Sequence, residues 1–408
     1  MSNIYISAHR ITTRPTTLQV QPETKVSVAV LFEILLFGYL FYTHFSIVIN
    51  IYVPGLAGAW ILLLAWVSLF YTLVKRDKHR KTTLILVGVS TLVFVFVQFF
   101  FSVPFSTLKP HLIWVAYIVI IFPHIHRPNF IKRLVIVLSS IILLLVPFIT
   151  YIGDIPRARL LGTGIDNANV VGAWIGFCAL SCWLWGGTTK KRSAKFWLWG
   201  LTALLCFYML QTVSRGSLIG LLIAVGISFR HGKFKGTLIK LILLLISSII
   251  ALKIPIVANA IAGYEARMFV ETGRLEIWPL AFELFKKQPW FGYGADHVQV
   301  FVRYRYLLPH NVFLYMLLAG GIFTTIPFVI LWLKTLLSSF WPKVAIENRG
   351  IDPLPLVIFV LIQFMSFDVA YLSVFSALVI CYSLSHKSQK NNTSMKIVKT
   401  TSLNTLFK

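Results

Sequence analysis

The feature that most constrains this chain is a series of apolar runs, many near 20 residues long, repeated from residue 27 to residue 385 and parted by short basic or Pro/Gly breaks. Wound as a helix, a run of that length crosses a hydrocarbon layer of roughly 30 Å. The runs lie near 27–43, 56–74, 83–101, 111–123, 134–152, 168–187, 196–213, 217–229, 237–254, 311–334, 353–367 and 370–385. Those at 111–123 and 217–229 are shorter than the ~17 residues a span needs, so either their ends extend into the flanks or they cross where protein surrounds them. With 57 % hydrophobic and 12 % charged residues, the composition excludes a soluble or disordered chain. The expectation is an all-α, polytopic integral membrane protein of about 12 transmembrane helices.

The net charge of +25, from 38 Lys and Arg against 13 Asp and Glu, would suggest a nucleic-acid partner in a soluble protein. Here topology accounts for most of it. With the N-terminus inside, the cytoplasmic connections hold 27 of the 38 basic residues, and seven of the other 11 lie in one long segment between Lys253 and His310. Basic residues gather on the cytoplasmic side, so both termini are expected there. This gives a cytoplasmic segment 1–26, nine spans over 27–254, an external loop 255–310, three spans over 311–385 and a cytoplasmic, polar tail 386–408. The stretch to Gln21 is polar and no small-residue cleavage pattern follows the first apolar run, which predicts a retained anchor. Lys75-Arg76-Asp77-Lys78-His79-Arg80-Lys81 reads as a topology determinant that contacts anionic lipid, with no nucleic-acid role. His124-Ile125-His126, beside Arg127, reads as interfacial and not as a metal pair. Cys178, Cys182, Cys206 and Cys381 all fall inside spans and match neither a disulfide framework nor a zinc site. Glu33 and Gln98, also within spans, are expected to satisfy each other or the polar core of the bundle.

The external loop of about 56 residues is long enough to suggest function. From Gly273 to Lys287, Leu275, Trp278, Phe282 and Phe285 recur at helical spacing with Glu276 and Glu283 away from them, which predicts an amphipathic helix on the membrane surface. Lys286-Lys287 suit its C-terminal dipole, and Pro289 and Gly292 end it. Gly292-Tyr293-Gly294 lacks the third glycine and preceding strand of a dinucleotide site. Leu308-Pro309-His310-Asn311 sets a polar pair at the mouth of an apolar helix. Gln211-Thr212-Val213-Ser214-Arg215-Gly216-Ser217 leaves an arginine at or just inside the outer face, where it costs at least a few kcal/mol unless paired or solvated. Arg157 and Arg159, with Asn167 and Asn169, fall on that same face. Arginines converging outside a membrane protein suggest a diphosphate ligand. Asp368, between the last two spans, lies near the same face and either pairs with an arginine or caps a turn.

These segments, in this order, resemble the bacterial O-antigen ligase and O-antigen polymerase superfamily: Ser214-Arg215-Gly216, then Gly273-Arg274-Leu275 with Trp278, then Pro289-Trp290-Phe291-Gly292-Tyr293-Gly294, then Pro309-His310-Asn311 opening a helix. The resemblance covers about 154 to 325 and elsewhere extends only to hydropathy and span count. It implies a membrane fold of the C-type glycosyltransferase kind in the bacterial inner membrane, with a periplasmic active site. The implied activity is inverting transfer of a glycan from undecaprenyl diphosphate. It further implies that His310 is the general base and that Arg215 and Arg274 bind the donor diphosphate and serve catalysis, with Arg157 and Arg159 beside them. Asn311, Tyr293, Asn169 and Asp368 are supporting candidates, Asn311 or Tyr293 as the group that orients the histidine.

The chemistry of the residue types agrees. Fixed guanidinium groups stabilise a departing diphosphate without a metal, no Asp-x-Asp pair is present to hold one, and no cofactor is expected. An imidazole suits removal of a proton from a sugar hydroxyl near neutral pH. The single histidine-bearing loop most resembles ligases, whose acceptor is lipid A-core. A polymerase joining lipid-linked repeats shares the same chemistry. A transporter for the lipid-linked glycan would also need internal cations, but the spans show no obvious repeat and the candidate charges gather on one face.

Overall fold

The computed structural model describes residues 28–48, 54–74, 78–125, 127, 129–152, 157–160, 168–231, 255–268, 274–302, 305–340, 351–365 and 374–385. They form 13 helices: α1 Val28–Val48, α2 Pro54–Val74, α3 Lys78–Phe100, α4 Phe105–Ile121, α5 Phe130–Leu145, α6 Ala168–Thr188, α7 Arg192–Gln211, α8 Arg215–Ser228, α9 Pro255–Met268, α10 Arg274–Lys287, α11 Val312–Phe340, α12 Pro353–Phe364 and α13 Val374–Ser385. Eleven of the 12 expected runs coincide with helices, and the ninth, 237–254, lies outside the described residues. Thr83–Phe100, Ala168–Thr188, Arg192–Gln211 and Val312–Phe340 are long and apolar enough to cross a membrane, and six further apolar helices are shorter. Leu62, Leu63, Trp66 and Phe70 on α2 stay exposed, as expected of a helix surface that faces lipid instead of water. The chain is a helical, membrane-embedded protein.

α6 is largely enclosed and packs on α5, α7, α8 and α12. Its close approach to the α7–α8 turn depends on Gly172, where a Cβ would meet Thr212 Oγ1 at 2.6 Å and Ser214 Cβ at 2.8 Å. On α8, Gly220 does the same for α12, since a Cβ there would meet Gln363 Nε2 at 2.7 Å. α6, α8 and α12 thus form a tight trio that carries the site at one end. The other end is clamped: Arg230, after α8, donates to both carboxylate oxygens of Asp352 (2.8 and 3.0 Å) and to the Ser339 carbonyl (3.2 Å), while Asp352 caps α12 through Leu354 N.

One sequence expectation needs correction, and one with two alternatives is decided. The span expected over 134–152 stops at Leu145, because Pro147 has no N–H to continue it. Ile149–Ile152, β-branched and aromatic, forms strand β1 instead, paired antiparallel with β2, Arg157–Leu160, so that Arg157 stands opposite Ile152 and Arg159 opposite Thr150. Of the two alternatives for Glu33 and Gln98, the second holds: each finds its partners within the bundle and not in the other. Glu33 takes a bidentate bond from Arg133 (both 2.8 Å) with Arg127 at 3.7 Å, beside buried His124 stacked on Phe32. His126 lies outside the described residues.

Gln98 serves a broken helix. α11 is interrupted at Gly321 (φ 63°, ψ −160°), which strips carbonyls and N–H groups of their helical partners. The turn after α10 replaces them. Tyr293 N and Gly294 N donate to the Leu318 and Ala319 carbonyls (2.7 and 3.1 Å), and Ile322 N donates to the Pro289 carbonyl (2.8 Å). Gln98 closes the seam, donating to the Ala319 carbonyl (2.9 Å) and accepting from Ala295 N (2.6 Å). The Pro-Trp-Phe-Gly-Tyr-Gly segment is therefore the complement of a helix break.

Candidate functional site

Three candidate residues stand at three helix starts. Arg215 opens α8, Arg274 opens α10, and His310 lies two residues before α11; all three are half-buried. Each start has its own local cause. The α7–α8 turn is closed by Val213 at φ 49°, a conformation that a β-branched residue adopts only when its surroundings impose it, and Val213 is buried. Ser214 then caps α8, its hydroxyl 2.9 Å from that of Ser217. At the other start His310 itself sits at φ 48°, and Asn311 caps α11 by accepting from Phe313 N (2.9 Å) and Leu314 N (3.2 Å).

The C-terminal end of α12 joins two of these starts. Gln363 Nε2 donates to the Gly216 carbonyl (3.2 Å), its Oε1 accepts from the Ser217 hydroxyl (3.4 Å), and that hydroxyl lies 3.5 Å from the Asn169 carbonyl at the head of α6. Two residues on, Met365 Sδ accepts from Asn311 Nδ2 at 3.6 Å. The third start is held by Trp278, one turn after Arg274, whose indole N–H donates to the Pro309 carbonyl at 2.9 Å. Arg215, Arg274, His310, Asn311 and Asn169 thereby share one end of the bundle. Gln363 and Met365 were not foreseen; a lone glutamine within the apolar run 353–367 was the available signal.

Both expected orienting groups are engaged with other partners. Asn311 spends its carboxamide on the cap and on Met365. Tyr293 donates its hydroxyl to the Leu284 carbonyl (2.9 Å), and desolvation raises its phenol above the ordinary tyrosine range, so it stays a protonated structural donor. For Arg157 and Arg159 only the backbone is described, in β2, which packs on α6. Asp368 lies outside the described residues.

The amphipathic helix is present as α10, ending at Lys287 before Pro289, and its expected stripe is divided: Trp278 and Phe285 pack against the core while Phe282 is exposed. Ile277 and Ala281 are buried, while Phe282 and Leu280 are exposed; the side chain of Leu275 is not among those described. Protein contact decides the division: α10 packs on α11 and on strand β3, Val300–Val302. β3 pairs with β4, Arg305–Leu307, in a short hairpin that leads into Pro309 and His310.

Helices on this scale with a half-buried histidine and arginines at one end define a polytopic membrane protein with a cationic site. Residues 200–329 match a family model described as O-antigen ligase, which supports the resemblance to the O-antigen ligase and polymerase superfamily. The matched stretch runs from α7 into α11 and so contains Arg215, Arg274, Tyr293, His310 and Asn311, while Arg157, Arg159, Asn169 and Asp368 fall outside it. A search of curated proteins gives no match.

Proposed function

We propose that the chain is an O-antigen ligase: an inverting, metal-independent glycosyltransferase that moves glycan from undecaprenyl diphosphate to lipid A-core at the periplasmic face of the bacterial inner membrane. The observation that carries the reading is the convergence of Arg215, Arg274 and His310 at three helix starts tied together through Gln363, Met365 and Trp278. In this mechanism the His310 imidazole takes the proton of the acceptor hydroxyl. The freed oxygen attacks the anomeric carbon as the bond to the diphosphate oxygen breaks on the opposite face. The departing diphosphate gains charge, and Arg215 and Arg274, with Arg157 and Arg159, bind and stabilise it; the α8 and α10 N-terminal ends add their partial positive charge.

A polymerase would use the same groups with a second lipid-linked glycan as acceptor. The test uses purified protein, a chelator and an undecaprenyl-diphosphate-linked glycan, with lipid A-core present or absent. Product only with lipid A-core establishes a ligase, longer lipid-linked chains without it mean a polymerase, and no product in either case favours a transporter.

A further inference from the structure

The turn between α6 and α7 lies at the far end of α7 from Arg215, and its geometry is fixed. The Thr188 and Thr189 hydroxyls both donate to the Trp185 carbonyl (3.0 and 2.8 Å), which closes α6. Across the turn Trp183 stacks on Trp199 with ring centroids 6.2 Å apart, an approach that Gly186 permits, since a Cβ there would meet Trp199 Cδ1 at 2.7 Å. Lys195 Nζ lies 4.8 Å from the centre of that Trp199 ring, and Lys132 Nζ, from α5, lies 5.6 Å from the centre of Trp185. Lys190, Lys191 and Arg192 are exposed, and among the described residues none of the three pairs with a carboxylate. The sequence supplies none nearby, because no Asp or Glu occurs between Asp166 and Glu265.

What covers this basic surface follows from α7 itself. Its 20 residues, Arg192–Gln211, are apolar enough to cross a membrane and measure about 30 Å, one hydrocarbon thickness. Arg192 therefore stands where lipid tails give way to headgroups. One turn inward, Phe196 and Trp197 are each 74 % exposed, which is where a bilayer receives aromatic rings. The group that a bilayer sets beside such rings is a phosphodiester, and cations without counter-ions favour lipids of net negative charge.

We infer that the α6–α7 turn is a binding site for an anionic phospholipid, whose phosphodiester is held by Lys190, Lys191 and Arg192 while an acyl chain lies on Phe196 and Trp197. The site is separate from the one at the other end of α7, and it does not depend on the glycosyl-transfer reading.

The experiment titrates the full chain in detergent with phosphatidylglycerol and with phosphatidylcholine of the same tails, and counts bound lipid by native mass spectrometry. The parent should hold phosphatidylglycerol at least roughly tenfold more tightly. Each cation at a lipid surface strengthens such binding about fivefold, so Lys190→Gln/Lys191→Gln should weaken it roughly 30-fold. Lys190→Arg/Lys191→Arg keeps the charge and should bind as the parent does. Lys286→Gln/Lys287→Gln, on α10, removes the same charge elsewhere and should change little. Equal affinity for the two lipids, parental binding by Lys190→Gln/Lys191→Gln, or equal weakening by the α10 variant overturns the site. Glycerophosphoglycerol, the same headgroup without tails, should not displace the lipid; displacement at equal concentration would mean a site for soluble phosphodiesters and overturn the lipid assignment.

Discussion

The indole N–H of Trp278 is bonded to the carbonyl of Pro309 at 2.9 Å, which ties the helix that begins with Arg274 to the turn that carries His310. Two residues 31 positions apart thus set the relation between a candidate diphosphate ligand and the candidate base. Trp278→Phe keeps the ring but not the donor. A hydrogen bond of this kind contributes about 1 kcal/mol, and the misplacement that follows its loss is felt at the reacting atoms. kcat should fall by roughly 5- to 100-fold while the unfolding midpoint in detergent moves little; unchanged kcat would separate the tryptophan from the site.

His310→Ala should remove transfer to the extent that a general base contributes, roughly 10²- to 10⁴-fold. Its left-handed backbone (φ 48°) is one that asparagine also tolerates, so His310→Asn is the matching variant that spares the turn. His310→Asn should express and unfold as the parent does. Activity retained in His310→Asn would remove the imidazole from the chemistry.

Arg215→Lys keeps the charge and loses the planar fork. With charged hydrogen bonds at about 1.5–3 kcal/mol, transfer should drop by roughly 10- to 150-fold. Gln363→Leu tests the same corner from α12, since it takes the bond from the Gly216 carbonyl and the partner from Ser217. It should raise the donor KM and leave the acceptor KM alone. Parental kinetics in both variants would leave Arg215 with a topological role.

How far the sequence disclosed this arrangement depends on the range of the interaction. Helix positions were legible because run length is a local property: α1 to α8 and α11 to α13 all fall on expected apolar runs. Arg215, Arg274 and His310 were legible as motif residues at breaks. The β1–β2 hairpin was hidden because Ile149 to Ile152 continue an apolar run, and only Pro147 marked the change. The α10 face was legible only in part because α11 and β3, not periodicity alone, decide what it buries. The bridge from Gly216 through Gln363 and Met365 to Asn311 joins positions up to 147 residues apart, and no local pattern contains it.

The break in α11 gives a stability prediction. Gly292 holds φ 66°, and a Cβ there would lie 2.3 Å from the Leu318 carbonyl oxygen and 2.8 Å from Gly321 N, both backbone atoms of the interrupted helix. Neither can yield without opening the seam that Tyr293, Gly294 and Gln98 close. Gly292→Ala should therefore destabilise the fold by at least about 1–3 kcal/mol. Gln98→Leu, which leaves the Ala319 carbonyl and Ala295 N without this partner, should cost about 1–3 kcal/mol. Because both act on one seam, their effects should be less than additive in the double variant, read as the shift of the thermal unfolding midpoint in detergent. Simple addition would show that the turn and the glutamine support α11 independently, and the broken helix would then have two separate anchors instead of one closed joint.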